Sequence, residues 1–244
     1  MDRMIYVAMT GAEHILSQQA AVAHNLANVA TTGYRADTSV FREVATQGDG
    51  LGTRSFVVDS TAGSDFTPGA INTTGHDLDV AVQGQGWIAV RATDGGEAYT
   101  RNGAFQISPN GVLQTASGLN VMGDGGDIAI PADTAVTIAT DGTVSGVPVG
   151  SKPSAVVTLG RIKLVNPEQS LLSKGADGLF RVRSGAAEAD SSVVLAPGAL
   201  EGSNVNAVET MVSMITLARQ FDMQMKLMQN ADKNAQQASQ LLKV

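Results

Sequence analysis

The sequence predicts an α+β fold: long N- and C-terminal helices paired as a coiled-coil-like hairpin, with a central, mainly antiparallel β domain between them in the chain. Three observations lead there. All 7 prolines and every glycine but Gly11 fall between Gly33 and Gly202. Interior Gly costs a helix about 1 kcal/mol and Pro about 3, so both ends are free to run as long helices and the middle is not. Those ends repeat apolar residues at helical spacing, and the middle carries turn dipeptides at short intervals. The implied domains are 1–33 with 203–244 as paired terminal helices forming one discontinuous assembly domain, 34–75 as an extended connector, 76–184 as the β-rich domain, and 185–202 as the connector back to the last helix.

In the first helix Ile5, Ala8, Ala12, Ile15, Gln19, Val22, Leu26 and Val29 alternate steps of three and four, the seam spacing of a coiled coil. Asn25 and Asn28 flank Leu26 on its last turn, where Asn competes for backbone groups, and Thr31-Thr32-Gly33 supplies the turn and the positive φ that stop it. The β region contains Asp49-Gly50, Asp94-Gly95, Asn102-Gly103, Asn110-Gly111, Asp124-Gly125, Asp141-Gly142 and Asp177-Gly178, pairs suited to the positive φ angles of tight hairpins. Strands are expected at Leu78–Val82, Trp87–Ala92, Phe105–Ser108, Val112–Thr115, Asp127–Ile130, Ala135–Ala139, Val156–Val165 and Leu179–Arg183. Val136 and Ile138 alternate with Thr137 and Thr140, giving one buried and one wet face. A short helix is expected over Asn166–Ser173, and Gly33–Gly69 and Gly185–Ser203 read as connectors. Ser203 or Asn204 can cap the last helix, with Asn206 as an alternative start and Glu209 favourable to the helix dipole. Along it Met214, Leu217, Phe221, Met225, Met228, Ala231, Ala235, Ala238 and Leu242 recur at threes and fours. From Asn206 to Leu242 a straight helix spans about 55 Å, longer than a small core can cover.

Composition narrows the function. A net charge of -7 without a Lys/Arg cluster argues against nucleic acid and against an anionic membrane surface. No run approaches the roughly 20 apolar residues of a membrane span, so no lipid insertion is expected, and Asp2 and Arg3 precede no continuous apolar stretch of a cleaved signal peptide. The absence of Cys excludes disulfides and thiolate metal sites. All the Met residues but Met122 lie in the terminal segments. Flexible thioethers suit a contact surface that fits several similar neighbours, and they suit ordinary core packing as well.

Chemical motifs are few. Gly84-Gln85-Gly86-Trp87-Ile88-Ala89 fits the dinucleotide pattern but leads into a strand, whereas the pyrophosphate needs a helix N-terminus. His76 beside Asp77 and Asp79 would resemble part of a triad, but no nucleophile-elbow sequence accompanies it. His14 and His24 lie too far apart on one helix to share a metal, and Asp124-Gly125-Gly126-Asp127 lacks the ligand spacing of an EF-hand. No catalytic, cofactor-binding or metal residue is therefore assigned, and no cofactor is expected.

Three motifs carry a family resemblance. Ala23-His24-Asn25-Leu26-Ala27-Asn28-Val29-Ala30-Thr31-Thr32-Gly33-Tyr34 resembles the signature that opens the axial proteins of the bacterial flagellum, the rod and hook proteins, with His24 where the family usually has Asn. Leu200-Glu201-Gly202-Ser203-Asn204-Val205-Asn206 resembles the family's approach to its terminal helix. Between them, Ala98-Tyr99-Thr100-Arg101-Asn102-Gly103-Ala104-Phe105, Gly111-Val112-Leu113-Gln114-Thr115 and Gly118 match the pattern of its β domain. The opening nine residues, Tyr34-Arg35-Ala36-Asp37 and Leu78-Asp79-Val80-Ala81-Val82 are most similar to proximal-rod members.

The resemblance implies a non-enzymatic subunit of the proximal rod of the basal body. It would be exported by the flagellar type III apparatus without a cleaved signal, and would stack with itself and with other rod proteins, proximal and distal, into a hollow shaft in the periplasmic space. The assembly interface expected is Ile5, Ala8, Ala12, Ile15, Val22, Asn25, Leu26, Asn28 and Val29 with Met214, Leu217, Phe221, Met225, Met228 and Leu242. Thr31, Thr32, Gly33, Ser203, Asn204 and Asn206 would serve as helix-end motifs. Two other readings stand beside it: a distal-rod protein of the same family, and a secreted β-rich binding module or polysaccharide-active enzyme. The enzyme would need paired carboxylates in an aromatic-lined cleft, for which a chain with 6 Phe, 3 Tyr and 1 Trp offers little.

Overall fold

The computed structural model describes residues 2–45, 55–148, 156–183 and 185–241. It is α+β. Two helices, α1 (Asp2–Ala27) and α2 (Ala207–Leu241), bracket a succession of short antiparallel strands. The chain divides into two compact units.

The first unit gathers Met1–Val29, Ala36–Asp65 and Val205–Val244. It holds both helices and the strand pair β1 (Asp37–Ala45) and β2 (Ser55–Ser64), in register from Asp37 opposite Ser64 to Ala45 opposite Ser55, with an irregularity between Ser39 and Phe41. The helices lie against each other and run in opposite directions. Gly11 sits beside Gln224, whereas Gln18, Ala21 and Val22, further along α1, share a cleft with Val212, Ser213, Thr216 and Leu217, further back along α2. Asn206 caps α2, its Oδ1 accepting hydrogen bonds from the amides of Val208 (3.1 Å) and Glu209 (3.4 Å). Of the cap candidates, the alternative start is the one used. Asn204 instead donates its Nδ2 to the Thr67 carbonyl at 3.1 Å.

The second unit comprises Ala30–Arg35 and Phe66–Asn204. Its largest sheet has five strands, in the order β14 (Leu164–Val165), β5 (Trp87–Arg91), β6 (Glu97–Thr100), β16 (Phe180–Val182) and β15 (Leu172–Lys174). A three-stranded sheet of β11 (Thr134–Ile138), β12 (Thr143–Pro148) and β13 (Val157–Arg161) stands apart from it in strand pairing. The other strands pair in twos: β3 (Ile71–Thr73) with β18 (Ala199–Glu201), β4 (Val80–Gln83) with β17 (Val194–Pro197), β7 (Phe105–Ile107) with β8 (Leu113–Thr115), and β9 (Met122–Gly123) with β10 (Gly126–Asp127).

Strand β5 is covered on both faces, which explains its unbroken apolar run. Ile88 and Val90 join a core with Val80, Val82, Phe105, Leu113, Val121, Val144, Ile162 and Leu195. Trp87 and Ala89, alternating with them, pack with Tyr99, Val165 and Phe180 in a second cluster. The expected alternation in β11 is observed, with Val136 and Ile138 buried and Thr137 exposed.

Several elements differ from the sequence expectation. The stretch expected as a connector over 34–75 contains β1, β2 and β3, and that over 185–202 contains β17 and β18. Their partners lie far along the chain, as when Glu201 pairs with Ile71 and Pro197 with Val80, so local spacing carries no mark of them. The single strand expected over Val156–Val165 is broken into β13 and β14, which belong to different sheets. The helix expected over Asn166–Ser173 shrinks to one 3-10 turn, Gln169–Leu171, because Leu172–Lys174 is drawn into the sheet as β15. Gly95, Gly111, Gly142 and Gly178 adopt positive φ as their turn dipeptides require. Gly103 does not. It is glycine for a different reason, since a Cβ there would collide with the Val80 carbonyl. At Asp124-Gly125 the positive φ falls one residue later, on Gly126 at 115°. Asp49-Gly50 lies outside the described residues.

Candidate assembly surfaces and the buried ion cluster

Helix spacing decides which α1 and α2 residues meet. Ala8, Ala12 and Ile15 are buried on α1, Val22 and Leu26 are half-buried on the same face, and Val29, expected on the helix, is half-buried in the turn beyond its end at Ala27. On α2, Leu217 is buried, while Met214, Phe221, Gln224, Met228 and Ala231 are half-buried in a row that keeps alternating threes and fours. Met225 departs from the expected row and is exposed. Reaching it from Leu217 takes two successive steps of four, which turn the helix about 80°, whereas a step of three to Gln224 turns it back. The Gln224 amide nitrogen lies 3.3 Å from where a Cβ would stand on Gly11, so the one helical glycine faces this larger polar side chain. Of the remaining expected positions, Leu242 and the side chain of Ile5 lie outside the described residues, as do the side chains of Ala235 and Ala238.

A second apolar row emerges on α2 that the sequence reading missed. Val208, Met211, Val212, Ile215, Met223 and Leu227 are all more than half exposed, Val208 reaching 71%. Met9 and Leu16 of α1 are exposed as well. The signal was legible as a repeat at 208, 212, 215, 223 and 227, offset from the first seam and interrupted by Arg219. Exposed apolar rows of this kind are a physical signature of interaction surfaces.

The helix-end asparagines are held by specific bonds. Asn25 Nδ2 donates to the Asp37 carbonyl (2.9 Å) and Asn25 Oδ1 accepts from the Asp37 amide (2.8 Å), a reciprocal pair that ties the end of α1 to the start of β1. His24, in the place of the family's Asn, bonds through Nδ1 to Asp37 Oδ2 at 2.7 Å, so the same short segment is gripped from two side chains. Asn28 Nδ2 donates at 2.9 Å to the His24 carbonyl, which also accepts from the Asn28 amide at 3.2 Å at the end of the helix. Beyond the helix, Thr31 is exposed, Thr32 is half-buried, and Gly33 takes φ 68° as expected. The Gly33 amide donates to the Glu201 carbonyl at 2.8 Å.

Within the second unit, three charged side chains meet away from water. Arg35 Nη2 lies 2.6 Å from Glu201 Oε1, and Arg101 Nη1 lies 3.0 Å from Glu201 Oε2. Arg101 also donates to the carbonyls of Val82 and Gly84. Both guanidinium groups approach the Trp87 ring, at 6.0 Å for Arg35 and 5.3 Å for Arg101. Burial, aided by the neighbouring Arg35 charge, pulls the Arg101 guanidinium below its ordinary range, and Glu201 opposes that pull.

None of the chemical motifs forms a reaction centre. Gly84 and Gly86 adopt positive φ and lead directly into β5, so no helix N-terminus receives a phosphate. His76 lies 3.5 Å from Asp79, whose Oδ2 accepts a hydrogen bond from the Thr74 hydroxyl, a surface turn. Asp127 pairs with Arg91 at 3.0 Å. Among the described residues no cluster of three or more His, Cys, Asp or Glu side chains is placed to hold a metal, and no helix is long and apolar enough to cross a membrane.

Comparison with known proteins places these features. The profile "Flagella basal body rod protein" matches residues 5–35, "Flagellar hook protein FlgE/F/G D1 domain" matches 81–146, and "Flagellar basal body rod FlgEFG protein C-terminal" matches 196–241. The FlgF flagellar basal-body rod proteins of Salmonella typhimurium and Escherichia coli are each 46% identical to this chain, over 99% of both sequences. The FlgG rod protein of Buchnera aphidicola subsp. Acyrthosiphon pisum is 30% identical over 97% of this chain and 98% of its own. The chain belongs to the flagellar basal-body rod protein family. It is FlgF-like within that family, and the family is structural, not enzymatic. In this rod protein each member of the buried ion cluster comes from a different matched segment: Arg35 from the first, Arg101 from the second and Glu201 from the third.

Proposed function

We propose that this chain is a structural subunit of the proximal rod of the flagellar basal body, stacking with itself and with other rod proteins into the hollow drive shaft. End-to-end identity of 46% with FlgF rod proteins carries the reading. The antiparallel α1–α2 pair acts as a coiled-coil-like seam, in which Gly11 meets Gln224 and Val22 shares a cleft with Leu217 within one subunit. The stripe of Val208, Met211, Val212, Ile215, Met223 and Leu227 then remains for neighbouring subunits, and its two flexible Met residues suit contacts that differ slightly around a helical assembly. The subunit reaches this place through the flagellar type III export apparatus and lies in the periplasmic part of the basal body.

The test is localisation combined with a surface charge. A tagged chain should copurify with basal bodies and restore swimming to a strain lacking the gene. The exposed-row variant Ile215→Asp should be soluble and absent from basal bodies. A deletion strain that still swims, or a chain that never enters purified basal bodies, would defeat the proposal.

A further inference from the structure

We propose that Arg35, Arg101 and Glu201 form a charge latch, so that the β unit closes around Trp87 only once the carboxylate of Glu201 has docked between the two guanidinium groups. The three side chains are 0%, 4% and 1% exposed. Glu201 lies 166 residues from Arg35 and 100 from Arg101, so the cluster can form only after three remote segments have met. Two cations share one carboxylate. Among the described residues Arg35 Nε, Arg35 Nη1 and Arg101 Nε find no hydrogen-bond partner in this buried place, and the Trp87 ring supplies the remaining favourable surface. Removing one partner of a buried ion pair strands uncompensated charge, a far larger penalty than the pair is worth. With Glu201 absent, two like charges would be stranded together.

The backbone is arranged around the same residue. The Glu201 carbonyl accepts from the Gly33 amide (2.8 Å), and Glu201 Oε1 also accepts from the Gly69 amide (2.9 Å). A Cβ at Gly33 would collide with the Arg101 backbone, and one at Gly69 with the Gly202 carbonyl, so both glycines are required for this close approach. Glu201 ends β18, which pairs with β3, and the Asn204 amide donates to the Tyr34 carbonyl at 3.3 Å. Segments 30–35, 69–73 and 199–204 thus meet at Glu201, through its backbone carbonyl and its carboxylate together. The unit carries a check on its own completeness: until the late segment arrives, the guanidinium pair keeps this side open.

Hydrogen exchange on the full-length chain tests the latch with two variants. In Glu201→Gln, which keeps shape and removes charge, the Gly33 and Gly69 amides should exchange at least about tenfold faster, the least expected when a buried ion pair loses its carboxylate charge and strands its partners, while amides of β5 and β6 keep most of their protection. In the charge-free variant Arg35→Met/Arg101→Met/Glu201→Leu, protection at Gly33, whose acceptor is the backbone carbonyl of residue 201, should return, because nothing charged remains to hold the segments apart. If Glu201→Gln does not fold but the charge-free variant does, with the Gly33 amide protected, the latch stands. Wild-type protection in Glu201→Gln overturns it. So does failure of both variants to fold or to protect the Gly33 amide, which would make the three residues simple packing.

Discussion

Gly33 shows how one residue carries both a helix stop and a tertiary contact. Its φ of 68° is favourable to glycine alone, and the space for a Cβ is filled by the Arg101 backbone. Gly33→Ala should therefore cost the β unit at least about 2 kcal/mol, combining backbone strain with displacement of a neighbouring segment. Denaturant unfolding followed by the fluorescence of Trp87, the sole tryptophan, reads this directly; an unchanged midpoint would mean that residues 30–35 are not docked. Tyr99 offers a second residue-level test. Its hydroxyl donates to Glu97 Oε1 (2.9 Å) and accepts from the Ala187 amide (2.7 Å), while Glu97 is itself bonded to Lys163. Burial above all pushes its pKa up to about 12 from 10.0, with the Ala187 amide pulling the other way and Glu97 adding to the rise. The folded state thus prefers the protonated phenol. Its contribution to stability is complete below pH 10.0 and is lost as pH rises through about 12. Absorbance titration of the native protein should show a late phenolate step near pH 12 that disappears in Tyr99→Phe; a step at the ordinary tyrosine position assigned to Tyr99 would contradict the burial argument.

At the scale of the element, α2 presents two faces with opposite sensitivities. Leu217 is 9% exposed against α1 and Ile215, two positions away, is 56% exposed. Leu217→Asp buries a carboxylate without a partner and should cost the helical unit about 3 kcal/mol or more, visible as an earlier loss of far-UV helical signal on heating. Ile215→Asp should leave that transition within about 0.5 kcal/mol of wild type, since surface changes rarely do more, yet abolish swimming. Reversal of this pattern would exchange the inner and outer faces of the helix. The register of threes and fours was readable from the sequence as far as Phe221, but Gln224 was passed over because it is polar. What decided its place was helical phase, and the facing Gly11 that leaves it room.

For the whole molecule, the second unit has two apolar core clusters, whereas α2 has Leu217 as its one buried apolar side chain among the described residues. Helices of this kind draw most of their stability from packing against partners. In dilute monomer, amides of α1 and α2 should exchange well before those of β5, β6 and β12, and the difference should shrink on assembly; equal protection across both units at low concentration would refute it. His76→Ala should leave swimming and thermal midpoint near wild type, and added calcium should not move the midpoint, because a ligand bound only by the folded chain would raise it. A calcium-dependent rise lost in Asp124→Asn/Asp127→Asn would reveal a site in place of a turn.

The sequence by itself determined the two helical ends, the β middle and most of its turns. Helix breakers, apolar period and Asp-Gly pairs act over a few residues, and such signals survive without knowledge of the fold. It also supplied the three motifs in order. Only the tertiary structure decided that 37–64 pairs as two strands beside the helices, that 194–201 returns to strands more than a hundred residues earlier, and that Arg35, just past the first motif, and Arg101 of the β-domain motif converge on the buried carboxylate of Glu201. Strand partners across such separations are chosen by which backbone edges and charges are left unsatisfied when the rest of the chain has packed, and an isolated Arg or Glu in a sequence does not declare which buried opposite charge it will meet.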